Sequence, residues 1–224
     1  MHSEHFVPCP QCALEFQKLK EENKALADKA YKDALTGQPN RQLFDEVFDR
    51  ECASFDRKMR QHTPSSDDGT VENVLCLTVV DIDRFKAVND TYGHLVGDAI
   101  LRKLGKILKS PAVGFRMTDF VARWGGEEFA IIMPDTKLEG AKQKVEALRK
   151  YVEANLFVMV GGVKVSATVS CGMTTYQPPK LSQSRKDSPR AFRKRVQDCF
   201  ARADIALYHS KGNGRNCTSV EVKM

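Results

Sequence analysis

The feature that most constrains the fold is an apolar run at residues 74–80 that ends abruptly in acids. The run reads VLCLTVV, and Asp81-Ile82-Asp83 follow it directly. Short runs rich in valine and leucine are typical of strands that are covered on both faces. Such a strand must lie inside a sheet with helices packed against it. We therefore expect a core sheet whose first strand ends in two carboxylates.

The remaining elements alternate between helices and strands, but hairpins interrupt the alternation. Residues 120–124 and 128–133 predict a hairpin around Gly125-Gly126, and residues 157–160 and 163–176 predict two strands that turn at Gly161-Gly162. A last strand is expected near residues 219–222. Apolar spacing predicts helices after Arg41, over residues 95–109, after a capping box formed by Thr136 and Glu139, and around residues 196–207. The pattern predicts an α+β fold with helices against a central, mostly antiparallel sheet.

A separate helix is expected before this domain. Phe16, Leu19, Asn23, Leu26 and Ala30 alternate at spacings of three and four, which is typical of a coiled-coil seam. An asparagine in the seam fixes the register and favours a dimer. A helix of about two heptads is marginal alone, so the alternative is one amphipathic helix folded back on the body. We predict a head and dimerisation stalk at residues 1–32 and one domain at residues 33–224.

Charge and composition exclude several classes of protein. The net charge is +6, and residues 180–195, with seven basic residues and one acidic, hold all of that excess. We expect this basic segment to be a solvated loop, and the neutral remainder argues against a nucleic-acid partner. No apolar run approaches a membrane span, and the N-terminus lacks the apolar stretch of a signal peptide. There are seven cysteines, an odd number, and five of them, all except Cys9 and Cys12, fit reduced thiols, so we expect a cytoplasmic protein.

Acidic residues follow the first strand and also the glycine turn of the hairpin. If the strand lies beside the hairpin, Asp81 and Glu127 converge at one edge of the sheet, with Glu128 next to them. Hard oxygen ligands on strand ends suit Mg²⁺, with Mn²⁺ as a substitute, together with substrate phosphates. Either acidic pair alone would be an ordinary strand or turn cap. The two pairs with glycines between them favour a metal and nucleotide site.

Five motifs, in order, carry a resemblance to a known family. The segments are DALTGQPNR at 33–41, DIDRFKAVNDTYGHLVGDAIL at 81–101, RWGGEEF at 123–129, VSCGMTTY at 169–176 and ADIALYHSKGNGRN at 203–216. The chain resembles the GGDEF family of diguanylate cyclases, in the GGEEF form, over residues 33–224. The resemblance implies a fold akin to nucleotidyl cyclase and polymerase palm domains. It also implies that a homodimer, with one GTP in each subunit, joins two GTP into cyclic di-GMP.

The same resemblance assigns roles to individual residues. It implies that Asp81, Glu127 and the carbonyl of Ile82 bind Mg²⁺, and that Glu128 lies near the 3′-hydroxyl as a base or a support for the metal. The residues that it places around GTP are Asn89 and Asp98 at the guanine, Arg84, Phe85, Lys86, Lys211 and Arg215 at the phosphates, and Gly125 and Gly126 in the turn.

An Arg-x-x-Asp pattern lies nine residues before the glycine turn. By the resemblance, Arg116 and Asp119 form an inhibitory site for the product, cyclic di-GMP. Three positions depart from the commoner family pattern: position 127 is a glutamate rather than an aspartate, although the family uses both, Gln38 stands where leucine is commoner, and Arg84 replaces a frequent aromatic residue or histidine. The loop at 61–73 and the basic stretch after Pro179 are longer than the family minimum, and neither touches the signature.

The N-terminal head holds a candidate zinc site. Cys9 and Cys12 form half of such a site, and His5 or a partner chain could add ligands to reach a tetrahedral set. The alternative is a pair of exposed thiols, reduced or redox-active, in a loose N-terminus.

Three other functions compete with an active diguanylate cyclase. A silent domain that only binds GTP or cyclic di-GMP is disfavoured because Asp81, Glu127, Glu128, Lys211 and Arg215 are all present. An enzyme that makes a mixed AMP–GMP dinucleotide is disfavoured by Asp98, since relaxed base choice should follow loss of that carboxylate. A nucleic-acid binder comes last.

Overall fold

The computed structural model describes residues 10–61, 73–179 and 188–221. The helices are α1 (Pro10–Tyr31), α2 (Arg41–Gln61), α3 (Phe85–Tyr92), α4 (His94–Leu108), α5 (Leu138–Asn155) and α6 (Pro189–Gly212), with a short 3₁₀ turn at Pro111–Val113. The strands are β1 (Val74–Ile82), β2 (Phe120–Arg123), β3 (Glu128–Thr136), β4 (Phe157–Val160), β5 (Val163–Ser166), β6 (Val169–Thr175) and β7 (Thr218–Glu221).

The main sheet has five strands in the order β2-β3-β1-β6-β7, so β1 lies at its centre. Its pairs are antiparallel except for β6 with β7, which run parallel. β4 and β5 form a separate hairpin. This architecture confirms the predicted α+β fold with a mostly antiparallel sheet flanked by helices.

Both faces of β1 are buried, which explains its nearly continuous apolar sequence. Cys76, Val80 and Ile82 pack into one core with α4 and α5, whereas Leu75, Leu77 and Val79 pack into another with α2 and α6. Alternate side chains of a strand point to opposite faces, so a central strand covered on both sides needs apolar residues at nearly every position. The strand is thereby fixed in place, and so are the acids at its end.

Helix α6 lies directly on the backbone of β6. A methyl group at Gly172 would collide with the carbonyl oxygen of Ala203 and the amide nitrogen of Leu207. Only a residue without a side chain permits this approach. The close packing sets the height of α6 over the sheet, and therefore the position of the polar residues near its C-terminus.

Two local sequence predictions are wrong around α5 and β5. Thr136 is the last residue of β3 rather than a helix cap: its hydroxyl donates to the carbonyl of Pro134 (3.0 Å), and Lys137 holds the N-cap position without a side-chain bond. The strand predicted at residues 163–176 is two strands, because β5 pairs with β4 and β6 pairs with β1. The chain changes sheets at residues 167 and 168.

The basic segment is also only partly a loop. Residues 180–187 lie outside the described residues, but α6 already begins at Pro189, where the Ser188 side chain accepts a bond from the Ala191 amide (3.2 Å). Arg195 within α6 is half-buried, and its guanidinium lies 2.8 Å from the carboxylate of Asp56 on α2. The solvated-loop prediction is therefore wrong for residues 189–195.

Helix α1 does not fold back on the domain. Its residues 11–27 are all exposed, including Phe16 (71%), Leu19 (53%) and Leu26 (64%) of the predicted seam. The folded-back alternative is therefore wrong. The N-terminal helix is present as predicted, and its pairing with a second chain stays a prediction. Among residues 10–61, 73–179 and 188–221, no helix is both long enough and apolar enough to cross a membrane.

Candidate active site

The predicted convergence of acids occurs where β1 and β3 end side by side. Asp81 pairs in register with Glu128, and the amide of Ile82 donates to the carbonyl of Glu127 (3.4 Å). The pairing of two antiparallel strands thus brings Asp81, Glu127 and Glu128 together, although 46 residues separate Asp81 from Glu127. This confirms the expected placement of the first strand beside the hairpin.

These three carboxylates hold their protons more tightly than usual. Burial raises the pKa of Asp81, of Glu127 and of Glu128, and the charge of Asp81 raises the pKa of both glutamates further. Lys211 opposes the rise, since its ammonium lies 2.8 Å from the Asp81 carboxylate. Clustered, partly buried oxygen ligands of this kind suit a hard divalent cation. The donor types present therefore fit a divalent cation that also takes a backbone carbonyl and substrate oxygens, because no three such side chains in the described residues are close enough to hold an ion by themselves.

Helix α6 contributes two charged groups to this cluster. Lys211 lies in its last turn, and Asp204 lies two turns earlier. The pKa of Glu128 is raised most by burial, then by the charge of Asp81, and then by the charge of Asp204. Lys211 was predicted from the sequence as a site residue, whereas Asp204 was not. Its position seven residues before Lys211, on the same face of the helix, is a signal that could have found it.

The glycine turn is fastened to the beginning of the domain by Arg123. The guanidinium donates to the Gly126 carbonyl (2.6 and 3.1 Å) and to both oxygens of Asp33 (3.0 Å each). A side chain at Gly125 would meet the Glu128 carboxylate at 2.6 Å. Arg123 and Asp33 were missed as site residues, because nothing local in the sequence links positions 90 residues apart.

Asp83 is a structural anchor rather than a free acid at the end of the strand. Its buried carboxylate accepts hydrogen bonds from the hydroxyls of Thr168 (2.7 Å) and Ser170 (2.6 Å) and from the backbone amide of Asn216 (3.0 Å). The last bond holds the loop after α6 against the end of β1. Arg215, next to Asn216, is thereby positioned near Asp81. From the sequence, Asp83 was expected only as one of the two acids that end the strand, and this anchoring role was missed.

The residues predicted for guanine lie on α3 and α4. Asn89 Oδ1 is buried against Gly97, where a methyl group would collide with it, so the amide nitrogen is the free end of that side chain. The half-exposed carboxylate of Asp98 lies 3.7 Å from Arg102 on the same helix. A donor on Asn89 and an acceptor on Asp98 have the polarity that a guanine edge requires. The structure thus brings both predicted residues to adjoining helices.

The junction between β1 and α3 holds the predicted phosphate residues. Arg84 has a left-handed backbone (φ 55°) and caps α3, Phe85 is buried beneath the helix, and Lys86 is exposed. The helix N-terminus presents backbone amides at this point. Lys211 on α6 and Arg215 in the loop after it lie near Asp81 at the end of β1, and the charges of both lower its pKa against the effect of burial.

The predicted inhibitory site is a separate, tightly bonded motif. The Asp119 side chain is fully buried, and it accepts bonds from the Arg116 amide (2.8 Å), the Arg116 guanidinium (2.9 Å) and Lys144 (2.7 Å). Arg116 also donates to the Pro134 carbonyl (2.8 Å) and to the hydroxyl of Thr136. Lys144 was missed by the sequence analysis.

The candidate zinc ligands lie at the edge of the described structure. Cys12 is exposed on α1, whereas His5 and Cys9 lie outside the described residues. Within residues 10–61, 73–179 and 188–221, no three histidine, cysteine or acidic side chains are grouped to hold a metal by themselves. Zinc binding by the head stays a prediction.

Comparison with known proteins identifies the family. Residues 30–217 match the family described as "Diguanylate cyclase, GGDEF domain". The chain is 36% identical over 188 residues to the diguanylate cyclase DgcP of Pseudomonas aeruginosa, and 38% identical over 148 residues to diguanylate cyclase A of Treponema denticola. These stretches cover 84% and 66% of this chain but only 23% and 35% of those relatives.

Solved structures agree with that match. The chain resembles the coiled coil and GGDEF domain of DgcB from Caulobacter crescentus, solved in complex with c-di-GMP, with a TM-score of 0.71 and 29% identity over 95% of this chain and 96% of that one. It also resembles the diguanylate cyclase SiaD of Pseudomonas aeruginosa, solved with its activator SiaC, with a TM-score of 0.66 and 29% identity over 95% of this chain and 70% of that one. The match covers residues 30–217 and includes the paired acids and the glycine turn described above. The chain therefore belongs to the GGDEF family of diguanylate cyclase domains.

Proposed function

We propose that this chain is a diguanylate cyclase that condenses two GTP into cyclic di-GMP and two pyrophosphates. The observation that carries the proposal is the pairing of Asp81 with Glu128 across β1 and β3, with Glu127 behind the glycine turn, in a chain of this family. Each 3′-hydroxyl attacks the α-phosphorus of the other GTP. Two phosphodiester bonds form, two bonds to pyrophosphate break, and the two hydroxyl protons are released.

A homodimer follows from the number of sites. One chain carries one set of Asp81, Glu127 and Glu128 and hence one GTP, whereas the reaction joins two GTP symmetrically. The exposed seam of α1, with Phe16, Leu19 and Leu26, supports a stalk that pairs two copies. In this proposal residues 1–32 form the head and stalk, and residues 33–224 form the catalytic domain.

Asp81, Glu127 and the Ile82 carbonyl would hold the metal, which we assign as Mg²⁺, with Mn²⁺ able to replace it. Such a cation, when bound, supplies charge stabilisation for the attacking oxygen and for the leaving pyrophosphate. The raised pKa values of Asp81 and Glu127 support this assignment, because the neighbouring cations of the chain do not offset the cost of burying these carboxylates as anions. Glu128 stands beside them, near the position assigned to the 3′-hydroxyl.

The rest of the site orients GTP. Asn89 donates to the guanine, and Asp98 accepts from its N1 and N2 hydrogens. Lys86, Lys211 and Arg215 neutralise the phosphates, with the backbone amides of Arg84 and Phe85. The turn at Gly125-Gly126 leaves room for the nucleotide to approach the backbone.

The product would inhibit the enzyme at Arg116 and Asp119. The support is a guanidinium exposed over 42% of its side chain beside a buried carboxylate, a combination that suits a guanine base and a phosphate. Arg116→Ala should abolish inhibition by added cyclic di-GMP, measured as initial rate against product concentration. Unchanged inhibition in this variant would show that the assignment is wrong.

The cyclase reaction is tested by incubating the full chain with GTP and Mg²⁺ and resolving the products by mass. Wild-type protein should give cyclic di-GMP, and Glu128→Ala should give none. Glu139→Ala is the matched control, since Glu139 is 71% exposed on α5 and pairs only with Lys142 among the described residues. The absence of product from the wild type, at concentrations that force dimerisation, would reject an active cyclase and favour a silent nucleotide-binding domain.

A further inference from the structure

Gln38 is a buried polar side chain that the proposed reaction does not use. It is 1% exposed, and its amide nitrogen donates to the carbonyl of Gly105 on α4 (2.5 Å), 67 residues later in the chain. A buried amide costs free energy unless it is hydrogen-bonded, so this bond stabilises the position. The leucine that is commoner here has no donor. The segment at residues 33–41, which we call the entry motif, is therefore joined to α4 by a bond that leucine cannot make.

The bond satisfies a carbonyl at the end of α4. A helix leaves its last four carbonyls without partners inside the helix, and α4 ends at Leu108. The amide of Lys109 would continue the helical pattern by donating to Gly105, but it donates instead to the carbonyl of Lys106 (3.2 Å). Gln38 supplies the donor for Gly105. Its side chain thus caps the C-terminus of α4 from outside the helix.

The entry motif is rigid where it meets α4. The backbone amide of Thr36 (2.8 Å) and its hydroxyl (2.7 Å) both donate to the Asp33 carboxylate, which closes a tight turn. A methyl group at Gly105 would lie 3.0 Å from the Cβ of Thr36, which is closer than side chains normally pack. The ammonium of Lys109 also donates to the carbonyl of Gly37 (2.6 Å). The turn therefore holds the end of α4 by hydrogen bonds and by close packing.

The same turn is bonded to the other half of the candidate active site. Both oxygens of Asp33 accept from Arg123, and Arg123 also donates to the Gly126 carbonyl of the glycine turn. Asp98, which we assign to guanine, lies seven residues before Gly105 on α4. That separation is about two helical turns, or about 10 Å, so the two positions share one face of the helix. The entry motif thus connects the helix that carries Asp98 to the turn beside the catalytic acids.

We infer that Gln38 is a positioning residue for guanine recognition, which acts through Gly105 and α4 on the carboxylate of Asp98. The inference rests on the guanine site of the proposed function. A carboxylate accepts from N1 and N2 of guanine together only when its place and orientation are fixed, because hydrogen bonds weaken steeply with distance and angle. Loss of the Gln38 donor leaves the Gly105 carbonyl buried without this bond. We then expect α4 to shift toward another donor, and Asp98 to move with it.

The test is calorimetric titration of the full chain with GMP and with IMP. These nucleotides differ only in the 2-amino group of the base, and neither can be condensed, since neither carries a pyrophosphate leaving group. Wild-type protein should bind GMP about tenfold more tightly, because IMP leaves one oxygen of Asp98 unpaired. Gln38→Met keeps the volume and removes the donor, so it should reduce this preference by about threefold or more. Gln42→Met, at an exposed glutamine on α2 that bonds to Glu46 (3.3 Å), is the matched control and should keep the wild-type preference.

Lys109→Met is a second variant that covers the case in which Gln38→Met does not fold. Lys109 is exposed, so its replacement should not impair folding, and it removes the bond to Gly37 at the same end of α4. We expect it to reduce the preference for GMP in the same direction, by about twofold. If Gln38→Met cannot be purified, an unchanged preference in Lys109→Met would overturn the inference.

The ratio of the two affinities separates positioning from general stability. A merely structural bond would lower the midpoint of thermal unfolding of Gln38→Met and weaken GMP and IMP equally, and such an unchanged ratio would overturn the inference. Equal affinity of the wild type for the two nucleotides would also overturn it, because Asp98 would then not recognise the 2-amino group. A Gln38-dependent preference for GMP in a protein that makes no cyclic di-GMP would support the inference and reject the proposed reaction.

Discussion

Asp119 and Asp81 are both buried carboxylates with cationic neighbours, yet their surroundings act in opposite directions. Burial alone would raise the pKa of Asp119, but the bonds from Lys144 and Arg116 outweigh it and hold that pKa below its usual value. At Asp81, burial outweighs the single contact with Lys211, and the pKa is raised. Two further acids, Glu127 and Glu128, lie beside Asp81, and their pKa values are raised as well.

The difference distinguishes a carboxylate that supports structure from one that we propose binds a metal ion. Asp119 has as many donors as it can use from its own chain, so its charge contributes to folding. The cluster at Asp81 holds more negative charge than its own chain balances, so it favours a cation from outside. The balance of charge among internal partners, rather than burial, tells the two sites apart.

The largest expected effect concerns Asp81. Asp81→Asn should lower cyclase turnover by about a thousandfold, equivalent to about 4 kcal/mol of transition-state stabilisation. The free energy of unfolding should stay the same or rise, because the substitution removes an under-compensated charge. Turnover and urea unfolding of the same preparation measure both. A clear loss of stability would break the comparison with Asp119.

Asp119→Asn should show the opposite pattern. Removing one partner of a buried ion pair leaves Arg116 and Lys144 facing each other, so the free energy of unfolding should fall by about 3 kcal/mol. Turnover per folded molecule should remain near wild type at low product concentration, since Asp119 lies outside the catalytic cluster. Chemical denaturation and initial rates test this. Equal damage to turnover would show that the two regions are not independent.

A smaller effect is expected at Lys144. Lys144→Met should lower the free energy of unfolding by about 1 kcal/mol, because Asp119 keeps its bonds to Arg116. Lys142→Met is the matched control, two residues earlier on the same helix: Lys142 pairs with the exposed Glu139 at 3.5 Å, and its loss should change stability by less than about 0.5 kcal/mol. Identical losses in both variants would contradict a special role for Lys144.

The pH dependence of stability follows from the lowered pKa of Asp119. A carboxylate whose pKa is lowered by folding stabilises the folded state above its ordinary pKa, and that contribution is lost as the pH falls through the lowered value. The stability gap between wild type and Asp119→Asn should therefore be full at neutral pH and close as the pH falls below 3.8. Urea unfolding of both proteins across this range measures the gap. A gap that widens in acid would contradict the sign of the shift.

The sequence predicted those parts of the site that local patterns encode. The apolar run before Asp81 and the glycines before Glu127 identify two strand ends, and their pairing brings the acids together. The bonds from Arg123 to Asp33 and from Asp83 to Asn216 were missed, because they join positions 90 and 133 residues apart that share no local pattern.

The errors in the fold have the same cause. Thr136 and Glu139 satisfy the spacing of a capping box, but Arg116 and Pro134 engage the Thr136 hydroxyl from elsewhere in the chain. Residues 163–176 look like one strand because their alternation continues, yet the partner strand changes in the middle. Arg195 looks solvated until α2 supplies Asp56. In all three segments, contacts with residues distant in the sequence determine the local structure, and a local sequence pattern does not contain them.

The bond between Asp83 and Asn216 joins parts of the chain that are synthesised at different times. The acids of the catalytic cluster are complete once Glu128 has been made, whereas Lys211 and Arg215 follow more than 80 residues later. Chains emerge from the ribosome N-terminus first, at about 5–20 residues per second. Lys211 and Arg215 are therefore synthesised several seconds after Asp81, Glu127 and Glu128. During that interval β6 and α6 are also unfinished. The side of the domain that carries Lys211 and Arg215, to which we assign the phosphates, is therefore the last part to form.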